Sequence, residues 1–155
     1  MKPINQSTQP NVDARYRIML VIWLGLLSAV GLYFVVALLV QPPGVDSAQN
    51  TMLTVILAGM GAFLVVVSFA VKQRFLKQSD ERQEIALVQT GFIVAVAMCE
   101  AGALFGLVDL MVTGNRYYFV VMLIGALGIL FHFPRRDHLL AATYKNRLDA
   151  GEPGK

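Results

Sequence analysis

The amino-acid sequence predicts an all-α polytopic membrane protein with four transmembrane helices and with its N- and C-termini in the cytoplasm. Three observations favour this class: an apolar composition, four long runs with few charges, and an alternating distribution of lysine and arginine. Of the 155 residues, 56% are hydrophobic and only 15% are charged, whereas soluble domains carry about 25% charged residues. We therefore expect a multi-pass protein of the cell (inner) membrane, with the lipid bilayer as its surroundings.

The first two spans follow a polar N-terminal segment. Residues 1–17 are polar and contain proline, which indicates a disordered cytoplasmic tail. Residues 18–40 carry no charge and exceed the ~20 residues that a membrane helix needs. A cleaved signal peptide is the alternative, although its apolar region is typically only ~7–15 residues long. The Pro-Pro-Gly sequence at 42–44 ends this helix, and the uncharged run 51–71 predicts the second span.

The third and fourth spans complete the predicted transmembrane domain. Residues 72–84 are predicted to be a charged connector, and residues 85–112 predict a third span that is long enough to tilt. A tight turn leads to the fourth span, residues 117–133, which is close to the lower length limit and is followed by Pro134. The four-helix domain is therefore expected to cover residues 18–134.

The C-terminal segment, residues 135–155, is predicted to be a cytoplasmic amphipathic tail. Leu140, Tyr144 and Leu148 recur at a four-residue interval, as on one face of a helix lying on a membrane surface. Basic side chains of this tail are expected to bind lipid headgroups, at about 1 kcal/mol per cation. These side chains are Arg135, Arg136, Lys145 and Arg147. The alternative is that the charges only fix the topology.

The distribution of lysine and arginine predicts the orientation. Three precede the first span, none lies in the first loop, four lie in the second loop, one lies in the third, and five follow the fourth span. Because cytoplasmic loops are enriched in these residues, both termini and the second loop are assigned to the cytoplasm. The formal net charge of +3 follows from this topology, so we expect no nucleic-acid partner.

One carboxylic acid, Glu100, lies deep in the third span. Counted from Leu87 at the inner boundary, it lies about 20 Å into an apolar core about 30 Å thick. An ionisable residue at such a depth is a functional candidate by default. No lysine or arginine lies inside a predicted span, so we expect Glu100 to be neutral until water or a cation of a partner reaches it. Ser28, at a similar depth on the first span, is the expected hydrogen-bond partner, which makes Glu100 and Ser28 the candidate ion-binding residues.

The third span also carries a stripe of small residues, which would let neighbouring helices approach closely. The helix-packing residues are Gly91, Ala95, Cys99, Gly102 and Gly106. Asp109 lies about 13 Å beyond Glu100 along the helix and is expected to be an interfacial carboxylate among the outer headgroups. His132 is likewise expected to be interfacial, at the inner boundary.

A local motif surrounds the glutamate. The pair Gln89-Thr90 precedes Glu100, the phrase Phe-Gly-Leu-Val at 105–108 follows it, and Arg-Gln-Glu at 82–84 lies on the cytoplasmic side. Over residues 82–112 this pattern resembles the carboxylate-bearing helix of the c subunit of rotary ATP synthases, the rotor-ring proteolipid. The resemblance implies that Glu100 carries a proton or a sodium ion opposite an arginine of a stator subunit. The first and fourth spans have no counterpart in the two-helix form of that family.

Two functions remain open from the sequence. Phosphate-binding loops, nucleophile elbows, dinucleotide fingerprints and metal-ligand spacings do not occur in it, so we expect no enzyme, no cofactor and no metal. One interpretation is a small non-enzymatic subunit or accessory factor that binds other membrane subunits or forms a homo-oligomer. The alternative is a proteolipid that carries protons or sodium ions on Glu100. A channel or transporter is disfavoured because the spans contain few polar residues.

Overall fold

Four α-helices make up the part of the chain that the computed structural model describes, namely residues 12–40, 47–82, 85–137 and 139. The helices are α1 (Val12–Leu39), α2 (Ser47–Arg82), α3 (Ile85–Thr113) and α4 (Tyr118–Phe131). The all-helical class is thus confirmed for these residues. By length and composition α1, α2 and α3 could each cross a membrane, whereas α4 is a shorter apolar helix of 14 residues.

Two helices extend beyond the predicted spans. α1 begins at Val12 instead of residue 18, and Asp13 in its first turn is favourably placed at the positive end of the helix dipole. α2 continues to Arg82 through the charged segment that was expected to be a connector. That segment consists mostly of Lys, Arg, Gln, Leu and Glu, which are good helix formers. The helix therefore continues as a polar extension after its apolar run has ended.

The predicted tails lie mostly outside the described residues, and this includes Lys145 and Arg147. Arg135 and Arg136 are described, and both are exposed. Arg136 forms an ion pair with Asp13, and its guanidinium carbon lies 5.6 Å from the centroid of the Tyr16 ring. Arg136, after α4, therefore lies beside the start of α1.

α3 is the central helix of the bundle. It packs against all three of the other helices, and α4 also contacts α1 and α2. Within the described residues, α1 and α2 do not contact each other. The cross-section is thus a rhombus with α3 and α4 on the short diagonal. The outer faces of α1 and α2 are apolar and exposed, as at Val21, Leu38, Val55 and Val66, which suits contact with lipid.

Glycines let α2 approach α3 closely. A Cβ atom added at Gly102 would lie 2.9 Å from the carbonyl oxygen of Gly61, and one added at Gly61 would lie 2.9 Å from the carbonyl oxygen of Gly102. Backbone atoms cannot move aside as a flexible side chain can, so neither position accepts a larger residue unless the two helices separate.

The structure places the other members of the small-residue stripe at contacts of α3 as well. Gly91 faces Phe75 on α2, and Gly106 faces Met122 on α4. Ala95 and Cys99 are fully buried. Because small residues let helices pack closely where lipid provides no hydrophobic driving force, this side of α3 holds the bundle together.

The variant Gly61→Leu should destabilise the contact between α2 and α3. The leucine would clash with the carbonyl oxygen of Gly102 and with Val121, and overpacking of this kind costs about 1–3 kcal/mol. Gly59→Leu is the matched control, since an added Cβ meets no atom within 4 Å there. Thermal unfolding in detergent measures the difference, and equal midpoints for the two variants would contradict this close contact.

Candidate functional site

Glu100 is half-buried on α3, on the side that faces α1. The hydroxyl group of Tyr33 on α1 donates a hydrogen bond to Glu100 Oε1. No other hydrogen bond to this carboxyl group is found in the described part of the chain, and Oε2 is not enclosed. A carboxyl group can accept more than one hydrogen bond. Oε2 is therefore available to water, to an ion or to a donor from another protein.

Ser28 does not have the role expected from the sequence. Its side chain is exposed, and the hydrogen bond to Glu100 comes from Tyr33 instead. At about 3.6 residues per turn, positions 28 and 33 point in directions about 140° apart, so α1 cannot turn both towards α3. Depth alone suggested the serine, whereas the longer tyrosine side chain reaches the carboxyl group from another level. Tyr33 is a site residue that the sequence analysis missed.

A second polar cluster joins Ser68 on α2, Cys99 on α3 and His132 after α4, all three fully buried. Ser68 Oγ lies 3.2 Å from Cys99 Sγ and 3.1 Å from His132 Nε2. The hydroxyl group of Ser68 donates to the carbonyl oxygen of Val65 at 2.6 Å. Since a serine has one proton to donate, the thiol and the Nε2–H group are the donors to Ser68 Oγ. This cluster ties α2, α3 and the end of α4 together.

His132 was expected to be interfacial, but it is 0% exposed and therefore does not contact lipid headgroups. The ring of Phe69 packs against it edge to face at a centroid distance of 4.3 Å. The assigned tautomer leaves Nδ1 as a bare acceptor, and it is the one buried side-chain nitrogen or oxygen without a partner among the described residues. A buried acceptor without a partner costs stability. Hydropathy could not have revealed this burial, since it depends on how the end of α4 packs against α2 and α3.

Asp109 was expected to reach the outer headgroups, but its side chain is enclosed within the bundle and does not contact them. Its carboxylate is 0% exposed and accepts hydrogen bonds from Thr54 Oγ1 at 2.8 Å, Thr113 Oγ1 at 2.8 Å and Asn115 Nδ2 at 2.7 Å. Gly114, with φ at 66°, makes the turn that brings Asn115 back to the carboxylate. Asp109 is therefore a structural residue that joins α2, α3 and the α3–α4 turn.

The variant Thr54→Val should weaken this outer network. It removes one of the donors to the buried carboxylate at nearly constant volume, and we expect a loss of about 1 kcal/mol because the other two donors remain. The matched control is Thr90→Val, since Thr90 is exposed on α3. Unfolding by increasing amounts of a denaturing detergent measures both. If the hydrogen bond from Thr54 did not stabilise the fold, Thr54→Val and Thr90→Val would be equally stable.

Residues of the segment that resembles the rotor-ring proteolipid are not all close to Glu100. Gln89 lies about 16 Å away along α3, where its Oε1 accepts a hydrogen bond from Arg15 Nη1 at 3.2 Å. Thr90 is exposed. Gln89 therefore fastens the start of α3 to α1 and does not contribute to the carboxyl site.

Comparisons with known proteins add no relative to these observations. No family model, no curated protein and no solved structure matches the chain. The similarity of residues 82–112 to the c subunit therefore stays a prediction from the sequence.

Proposed function

We propose that this protein is a non-enzymatic subunit or accessory factor of a larger membrane complex, and that another membrane protein docks beside Glu100 and Tyr33. One observation carries the proposal: among the described residues, the half-buried carboxyl group has a single hydrogen-bond partner and an accessible second oxygen, between two apolar helices. Ionisable residues within membrane segments normally face a protein interior or a water-filled cavity. A donor from a neighbouring subunit would satisfy Glu100 Oε2.

We further propose four crossings of the cell (inner) membrane, with both termini in the cytoplasm. The fourth crossing is supported by the positions of the two ends of the α4 segment. Asn115, before α4, shares the carboxylate of Asp109 with Thr54 near the start of α2, whereas Arg136, after α4, pairs with Asp13 at the start of α1. The segment between them therefore runs the length of the bundle, although α4 itself is short. The alternating lysine and arginine counts support the orientation.

Ion carriage on Glu100, as in the rotor-ring proteolipid, is the second candidate. The accessible Oε2 atom favours it too, because a proton or a sodium ion could bind there while Tyr33 donates to Oε1. Against it, Tyr33 belongs to α1, which has no counterpart in the two-helix form of that family. We therefore give preference to docking.

The docking proposal predicts that mild detergent extracts a hetero-complex heavier than the 17.0 kDa chain. Glu100→Leu should release the chain from its partner, because the leucine can neither accept nor donate a hydrogen bond, whereas Glu100→Gln keeps one acceptor oxygen and should weaken the complex less. Glu81→Leu is the matched control, since Glu81 is exposed on the polar extension of α2. Light scattering and mass spectrometry give mass and composition. A monomeric wild type, or an unchanged complex in Glu100→Leu, would contradict docking.

Labelling with an apolar carbodiimide distinguishes docking from ion carriage, and it can be done on the same detergent-extracted samples. For an ion carrier, Glu100 should react rapidly at neutral pH, and sodium or high pH should block the reaction. For a docking residue, assembly should protect Glu100 whether or not sodium is present, and the released chain should react. Protection by sodium alone would favour ion carriage over docking.

A further inference from the structure

A cavity of about 660 Å³ lies between the start of α2 and the α3–α4 turn. This volume is within the range of ~300–1,000 Å³ that is typical of ligand sites. Neither Glu100 nor Tyr33 lines it, so it is separate from the docking site proposed above. Its lining includes Thr51, Thr54, Ala58, Arg116, Val120 and Val121.

The lining changes from polar to apolar with depth. Thr51 and Arg116 lie at the end of the bundle, at the first described turns of α2 and in the α3–α4 turn. Ala58 and Val121 lie further along α2 and α4, towards the middle of the bundle. The apolar part continues into the exposed side of α4 at Val120. Such a gradient suits an amphiphile with a polar head at the membrane surface and an apolar chain below it.

The charge of the cavity lining determines which lipid head group the cavity favours. Among the described residues that line the cavity, Arg116 is the only one with a charged side chain, and its guanidinium carbon lies 5.1 Å from the centroid of the Tyr117 ring. Asp109, behind the lining, is fully buried and already accepts three hydrogen bonds, so it presents no free carboxylate to the cavity. Guanidinium groups bind phosphate oxygens through paired hydrogen bonds. The site therefore favours an anionic head group.

We propose that this cavity binds an anionic phospholipid, with its phosphate on Arg116 and one acyl chain between α2 and α4 against Ala58 and Val121. The proposal rests on the membrane placement given under Proposed function and not on the role of Glu100. A failure of the docking experiment therefore leaves it standing, and its own failure leaves docking unaffected.

Native mass spectrometry of the delipidated, full-length protein tests the head-group contact. Phosphatidylglycerol and phosphatidylcholine with identical acyl chains are the two probes. The wild type should bind phosphatidylglycerol more tightly, and Arg116→Gln should weaken that binding about tenfold by removing a charged donor. Arg74→Gln, an exposed cation on the polar extension of α2, is the matched control and should change nothing. Equal effects of the two variants would show general surface attraction and overturn the proposal.

The acyl-chain contact is tested with a matched pair on α2. Ala58→Leu fills the cavity and should weaken the binding of both lipids, whereas Gly59→Leu points into open space and should not. If Ala58→Leu does not fold, phosphatidylglycerol with a diazirine on its acyl chain should label the wild type at Val120 or Val121. Labelling confined to α1 or α3 would overturn the proposal. So would competition by glycerol phosphate at the same concentration as the lipid, since that would indicate a site for a small soluble anion.

Discussion

The close approach of α3 to α2 and α4 is the constraint on which the rest of the structure depends. Glycine backbones meet at Gly61 and Gly102, and a larger side chain at either position would separate the helices. In a bilayer, helices associate mainly through such packing and through hydrogen bonds, because lipid is as apolar as the side chains. Since small residues commit one side of α3 to α2 and α4, the side that carries Glu100 is left to α1.

The two carboxylic acids of α3 differ in their surroundings. One is fully hydrogen-bonded inside the bundle and has a structural role, whereas the other keeps an accessible oxygen. Asp109 accepts hydrogen bonds from three side chains and has no exposed surface. In the described part of the chain Glu100 has one donor, the hydroxyl group of Tyr33, and it is only half-buried. Burial of an acid is tolerable when its acceptors are satisfied, and Asp109 meets that condition within the bundle. Glu100 meets it only with help from outside the described chain, which is why the functional proposal rests on Glu100.

The sequence predicted the helical class, long helices at the apolar runs and close packing at the small residues of α3, because these features depend directly on composition and spacing. It did not predict where the helices end. Hydropathy marks only the apolar residues that would lie inside a bilayer, whereas α2 continues as a helix through the polar residues that follow. It also missed Tyr33, because the choice between Tyr33 and Ser28 depends on how α1 is rotated about its axis. The burial of Asp109 depends on a turn that returns Asn115 to the carboxylate, and that of His132 depends on how the end of α4 packs against α2. Spacing within one helix carries no information about either.

The account depends most directly on Glu100 facing α1 through Tyr33, and a double-mutant cycle measures that contact. Tyr33→Phe, Glu100→Leu and the double variant would be unfolded by denaturing detergent, and Ser28→Ala would replace Tyr33→Phe in a parallel cycle. The account predicts a coupling of about 0.6–2 kcal/mol between positions 33 and 100 and none between positions 28 and 100. Additive effects of Tyr33→Phe and Glu100→Leu, or coupling to Ser28 instead, would contradict it.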